Sequence, residues 1–176
     1  MTTAPPVLAI FNNPEVKFTA DSLKSNLVLL LDDIRDPGNL GTIIRIADWF
    51  GIKQVVCSET TVDLYNPKVI QASMGSIARL QVIYTDAVSW LAYLPSTTPV
   101  YGTSLDGKNL YERKLSATGV IVIGNEAKGI SKGVQKYVTD KLLIPSFSAT
   151  THAESLNASV AAAIICAEFR RQSLLQ

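Results

Sequence analysis

The sequence predicts a three-layer α/β domain built on a Rossmann-like, mostly parallel sheet, and three observations predict it. Apolar runs of strand length, Leu27–Leu31 and Gly119–Ile123, are continuous rather than alternating, as in strands buried on both faces. Between such runs stand segments with apolar residues at three- and four-residue spacing, the mark of amphipathic helices. The two patterns then alternate along the chain, which is the order of crossover units in a parallel sheet. With 176 residues, 47% of them hydrophobic, the chain has enough material for one domain with a proper core.

Residues 1–26 carry prolines at 5, 6 and 14 and one short apolar piece, Val7–Phe11. They read as an N-terminal extension or linker remnant, with Val7–Phe11 an edge strand at most. The domain proper is 27–176. Leu27–Asp33 is its first strand, and Asp36-Pro37-Gly38 a turn, because proline presets φ and glycine tolerates the left-handed region. A helix follows from Leu40 to Phe50, with Asn39 as its expected N-cap, Leu40, Ile43, Ile44, Ala47 and Phe50 as its stripe, and Gly51 as its stop. Arg45 and Asp48 lie off that stripe. Ile52–Cys57 is the second strand.

The same pattern continues more weakly. A short helix is expected over Asn66–Met74, a strand over Leu80–Tyr84 and a helix over Ala87–Leu94 before Pro95. Val100–Thr103 reads as a short strand and Asp106–Asn109 as a turn. Gly119–Ile123 is a central strand opening into the loop Gly124–Ser131 and a short helix, Lys132–Tyr137. Asp140–Ile144 is the last strand, stopped by Pro145, and the Ser/Thr-rich stretch after it leads into a long alanine-rich helix that runs on to Gln172.

Composition narrows the function classes. No apolar run is long enough to cross a bilayer, and the start lacks the basic region of a secretory signal. Cys57 and Cys166 stand in apolar contexts and read as core thiols, which suits a reducing cytoplasm. A net charge of +1 means that any nucleic acid would meet a local patch. No metal is expected: the chain has one histidine, His152, and no cysteine pair at ligand spacing. The serine-hydrolase elbow and the phosphate-loop ending are both absent.

Ligands of open α/β sheets bind beyond the carboxyl ends of the strands. Three strands here end in polar loops, Asp32–Asn39, Gly124–Ser131 and Pro145–Asn157, and if those strands are neighbours the loops share one site. Arg45 is the suggestive cation beside them, since a guanidinium fork holds a phosphate or a ribose edge. Equally, Asn39 serves as a cap, Gly124–Gly129 as a plain turn and Arg45 as a solvated side chain. The residues by themselves lead to a small-ligand crevice, with a Rossmann-like nucleotide binder as the default.

Three motifs go further: Asn39-x-Gly41-x-x-x-Arg45, Gly124-Asn125-Glu126-x-x-Gly129, and Ile144-Pro145 with Glu154-Ser155-Leu156-Asn157-x-Ser159-Val160-Ala161. In this order they resemble the SpoU (TrmH-like) family of RNA ribose 2′-O-methyltransferases, in the SPOUT superfamily. The resemblance spans Leu27–Arg171. It implies a deep C-terminal trefoil knot, a rare exception to the usual topology rules, a homodimer through the knotted region, S-adenosylmethionine as methyl donor, and a tRNA or rRNA ribose hydroxyl as acceptor. It implies an active-site set of Asn39, Arg45, Glu126, Ser155 and Asn157. The implied cofactor contacts are Gly124, Asn125, Glu126, Gly129, Ile144, Ser146, Ser155 and Leu156, largely through backbone groups.

Arginine stays protonated in nearly all protein settings. Arg45 is therefore expected to hold the phosphate or hydroxyl and to stabilise developing alkoxide charge. Glu126 and Asn157 would fix the loops, with Arg45 as a further partner, and Ser155 would contact substrate or brace the site. RNA would rest on a surface that includes Arg35, Arg45, Lys68 and Arg79. Two departures from the family pattern stand out: Ala127 replaces a usual glycine, and Ser146-Phe147-Ser148 replaces the usual methionine- and glycine-bearing turn. The alternative is a catalytically inactive RNA-binding or dimerisation module of the same fold.

Overall fold

The computed structural model describes residues 26–148 and 155–175. The edge-strand reading of Val7–Phe11, His152 and Glu154 all lie outside the described residues. Within them six strands form one sheet: β1 (Leu27–Asp32), β2 (Gln54–Ser58), β3 (Gln81–Thr85), β4 (Val100–Asn109), β5 (Gly119–Gly124) and β6 (Asp140–Leu143), in the spatial order β3-β2-β1-β5-β4-β6. Every pairing is parallel, and Leu27–Asp32 pairs residue for residue with Gly119–Gly124 at the centre.

Side-chain alternation explains why the central strands are apolar throughout. Leu27, Leu29 and Leu31 enter one core with Val55, Cys57, Ile121 and Ile123, while Val28 and Leu30 enter a second with Val56, Val120 and Val122. Helices cover both faces. On the first lie α1 (Pro37–Trp49), α2 (Pro67–Ser73) and α5 (Ala158–Ser173), whose Ala162, Ile165, Cys166 and Phe169 are buried. On the second lie α3 (Ala87–Tyr93), through Trp90 and Leu91, and α4 (Lys132–Gln135), through Val134. Both cysteines are free and buried, and burial pushes each thiol up to about 12, so they are packing groups.

Four expectations change. The cap of α1 is Asp36, whose carboxylate accepts from the Asn39 backbone N–H at 2.7 Å. Proline at the first helical position suits that earlier start. Asn39 therefore lies within the first turn, its side chain free for other partners. Asp106–Asn109 is not a turn between elements but part of β4. Thr103 and Lys108 both pair with Leu142, so residues 104–107 loop out of the strand and return to the same partner. Gly107 permits the return, since a Cβ there would lie 2.7 Å from the Leu142 carbonyl carbon. The helix expected over Lys132–Tyr137 is a single turn, α4. Lastly, the three loop-bearing strands are not all neighbours: β1 and β5 pair, but β6 is the edge strand beyond β4.

The chain nevertheless brings the third loop back. After β6 it returns to α5, which packs on α1 and reaches β5. At the far end of α5, Glu168 is buried, gripped by both nitrogen arms of Arg171 (2.8 and 2.7 Å) and by Gln172 (2.7 Å). Gln172 also donates to the Arg113 carbonyl and accepts from the Leu115 N–H, both at 2.9 Å, which ties the helix to the segment before β5.

Candidate active site

The carboxyl ends of β4, β5 and β6 and the start of α5 enclose a cleft of about 620 Å³. That is within the roughly 300–1,000 Å³ of small-molecule sites. One wall is the loop after β5. Asn125 and Gly129 exchange backbone hydrogen bonds at 3.1 and 2.9 Å, closing a tight reversal with Gly129 at φ +68. The Asn125 carboxamide oxygen accepts from the N–H groups of Ala127 and Lys128, both at 3.0 Å. Gly124 sits so close beneath this reversal that a Cβ would lie 2.4 Å from the Gly129 carbonyl carbon. Only glycine permits that contact.

The same loop is tied to the end of β1. Asn125 Nδ2 donates to the Asp33 carbonyl at 2.8 Å, and the Ser131 N–H donates to the buried Asp32 carboxylate at 2.7 Å. Asp33 takes φ +61, a left-handed conformation uncommon outside glycine, asparagine and aspartate. Burial pushes its carboxyl up, but hydrogen bonds from Arg35 and Thr60 and the Arg35 charge outweigh that and leave it below its usual range.

Across the rim a relay joins the three sequence motifs. Asn39 Nδ2 donates to Glu126 Oε1 at 2.7 Å, and Asn157 Nδ2 donates to Asn39 Oδ1 at 2.9 Å. Asn157 Oδ1 in turn accepts from the N–H of Ser159 (2.9 Å), its hydroxyl (2.7 Å) and the N–H of Val160 (3.3 Å), and so caps α5. The direction of the relay is set chemically. An ionised carboxylate only accepts and the helix N–H groups only donate, so each amide has one usable orientation.

The structure brings most of the motif residues together. Gly124, Asn125, Glu126, Gly129, Ile144, Ser155 and Leu156 line the cleft, and Asn39 and Asn157 stand at its rim through the relay. Ser146 is exposed and does not line it, and its hydroxyl accepts from the Ser148 N–H at 3.3 Å. Arg45 is exposed on α1 outside the cleft, its side chain making no hydrogen bond or ion pair with a described residue. The wall also includes Ser104, Leu105, Asp106, Gln135 and Lys141, which sequence reasoning missed. The one signal for them is Asp106-Gly107, which has the composition of a turn and belongs to the loop-out of β4.

A profile described as the SpoU rRNA methylase family matches residues 26–167, most of the chain. The chain belongs to that family. Among curated SpoU relatives, it is 34% identical over 166 residues to the 23S rRNA (guanosine(2553)-2′-O)-methyltransferase RlmP of Bacillus subtilis, covering 93% of this chain and 64% of that protein. Among solved structures, a TrmH-family protein from Porphyromonas gingivalis superposes with a TM-score of 0.79 at 46% identity, over 84% of this chain and 60% of that one. The SpoU methyltransferase AviRb from Streptomyces viridochromogenes, solved with AdoMet, gives a TM-score of 0.76 at 28% identity, over 86% and 62%. This SpoU chain thus spans a little under two thirds of these relatives. Its fold is the knotted α/β fold of the SPOUT superfamily, as the resemblance implied.

Proposed function

We propose that this chain transfers the methyl group of S-adenosylmethionine to a ribose 2′-hydroxyl in tRNA or rRNA, with 27–176 as the catalytic domain. The observation that carries this reading is the Glu126–Asn39–Asn157 relay, which draws three distant motifs to the rim of one cleft. The relatives' names agree in kind: RlmP is a 2′-O-methyltransferase of rRNA, and AviRb was solved with AdoMet.

The cleft suits that cofactor. Its apolar residues, among them Ile130, Ile144 and Leu156, would flank an adenine ring, while the turns around Gly124–Gly129 and at Leu156 offer backbone groups to its edge. The Glu126 carboxylate on the wall suits a cation, whereas Asp106 is already paired with Lys141 at 2.7 Å. When bound, the cofactor supplies an electrophilic methyl on a positively charged sulfur: a new O–CH₃ bond forms, the CH₃–S bond breaks, and the sulfur leaves as a neutral thioether. The chain's residues then have separate tasks. Gly124, Asn125 and Gly129 hold the loop that orients the ligand, and the relay keeps the Glu126 carboxylate and the start of α5 in fixed register. Arg45, whose side chain has no hydrogen-bonded or ionic partner among the described residues, holds the RNA phosphate or the hydroxyl and stabilises alkoxide charge as the proton leaves to solvent. Fixing hydroxyl and methyl in line supplies much of the rate.

The same reading makes the protein a cytoplasmic homodimer, joined through its C-terminal region. Val160 is exposed in the first turn of α5 and gives a second copy apolar surface to cover. Among the described residues no helix is long and apolar enough to cross a membrane. Calorimetric titration with S-adenosylmethionine, followed by transfer of labelled methyl to bulk RNA, tests the reading. Binding with RNA labelling supports it. No binding at high concentration favours an inactive module of the same fold.

A further inference from the structure

The cleft leaves unexplained a group of side chains at the opposite end of α1. Trp49 is 85% exposed, unusual for the residue type with most apolar surface to hide, whereas the chain's other tryptophan, Trp90, is 8% exposed. Arg45 stands one helical turn before Trp49, on the same face. Lys53, just past the helix, is exposed; its backbone carbonyl accepts from the Gln81 N–H at 2.9 Å, while its ammonium makes no hydrogen bond or ion pair with a described residue. Lys53 and Arg79 line a shallow cleft of about 300 Å³ with Asn26, Gln54 and Gln81. Asp48 is the acidic group here, and it is already committed: its carboxylate accepts from Arg79 Nε at 2.7 Å and from Ser76 at 2.9 Å. The negative end of α1 is answered as well, since Arg170 donates to the carbonyls of Phe50 (2.6 Å) and Gly51 (3.2 Å).

An exposed indole bordered by cations, with its neighbouring carboxylate and helix end neutralised, has the chemistry of a single-stranded nucleic-acid contact. The ring gives a base a stacking face, and the cations track phosphates. We propose that this end of α1 is a second RNA contact, in which a nucleobase stacks on Trp49 and an adjoining phosphate lies against Lys53. The inference rests on the reading that RNA is the substrate. Trp49 lies ten residues from Asn39, about 15 Å along the helix, with Arg45 between them. One RNA strand running along α1 would therefore pass from the catalytic rim to Trp49.

The two tryptophans make the test direct, because Trp90 is buried and emission that RNA quenches reports on Trp49. The full-length protein is titrated with a mixed-sequence single-stranded oligoribonucleotide. Wild-type emission should fall on binding, and Trp49→Phe should lose that quenching while keeping most of the affinity. Trp49→Ala should bind about tenfold more weakly, the order expected for one lost stacking contact. Lys53→Glu should also weaken binding and flatten its salt dependence. S-adenosylmethionine binding should be unchanged in all three. Wild-type affinity in Trp49→Ala with no quenching in the parent overturns the inference while leaving the catalytic reading standing. So does a dimer-to-monomer shift in Trp49→Ala at unchanged RNA affinity, which would make the patch an interface between copies. Failure of the wild type both to bind and to methylate RNA overturns both.

Discussion

Asn39 and Arg45 stand six residues apart on one helix and are held in opposite ways. Asn39 is committed at its backbone N–H and at both side-chain polar atoms: its N–H is capped by Asp36, its amide nitrogen held by Glu126 and its amide oxygen by Asn157. Arg45 reaches into solvent with no hydrogen-bonded or ionic partner among the described residues. The contrast separates two kinds of motif residue. One builds a frame whose geometry must not change as ligands come and go, and the other keeps its donors for a ligand. A residue that stabilises charge on a substrate cannot have its hydrogen bonds spent inside the protein.

The largest expected effect comes from the free half. Arg45→Ala should lower methyl transfer by at least about 10²–10³-fold, the scale of losing a charge-stabilising donor, with cofactor affinity nearly intact. Single-turnover kinetics beside calorimetry checks this, and a near-wild-type rate would end the assignment. Next comes the frame under the cleft. Gly124→Ala places a Cβ 2.4 Å from backbone, so the Gly124–Gly129 reversal must shift. Cofactor binding should be lost together with about 1–3 kcal/mol of stability, read by calorimetry and urea denaturation.

Asn39→Ala sharpens the comparison from the committed side. It removes the shared partner of Glu126 and Asn157, both of which water can reach, and should cost about 0.5–1.5 kcal/mol per lost hydrogen bond. Arg45→Ala, with no side-chain partner among the described residues to lose, should leave the urea midpoint almost unmoved. The smallest effect is expected at the opposite end of α5. The hydrogen bond from Arg171, aided by Gln172 and the Arg171 charge, outweighs burial and holds the Glu168 carboxyl below its usual range. Its contribution to stability is therefore complete above the ordinary glutamate value of about 4.3 and is lost as pH falls through the lower folded value. A Glu168→Gln variant should show a flatter loss of stability in acid than the parent, with no effect on cofactor binding at neutral pH.

Much of this frame was legible in the sequence because it obeys local rules. The continuous run Leu27–Leu31 announced a strand buried on both faces, and the stripe Leu40, Ile43, Ile44, Ala47 announced the buried side of α1. The N-cap of α1 was misread because Asp36 and Asn39 are both good capping residues. The choice between them depended on Glu126, 87 positions away, which claims the Asn39 side chain. The β4 loop-out was missed for a similar reason. Asp106-Gly107 has the composition of a turn, and only the pairing of Thr103 and Lys108 with the same Leu142 shows that the strand resumes. Nor does any periodicity disclose that a segment leaving the edge strand β6 returns to α1 and places Asn157 on Asn39, because that contact joins residues 118 positions apart. The family resemblance supplied that topology, and the patch around Trp49 lies outside its motifs.

The most direct test of the central claim is to locate the methyl group. The purified protein is incubated with isotopically labelled S-adenosylmethionine and RNA lacking its modification, and the RNA is digested to nucleosides and analysed by mass spectrometry. A labelled nucleoside whose added mass resides on the ribose, absent from the Arg45→Ala reaction, is the predicted result. Label on a base, or no label from a protein that binds the cofactor and the RNA, would contradict the account.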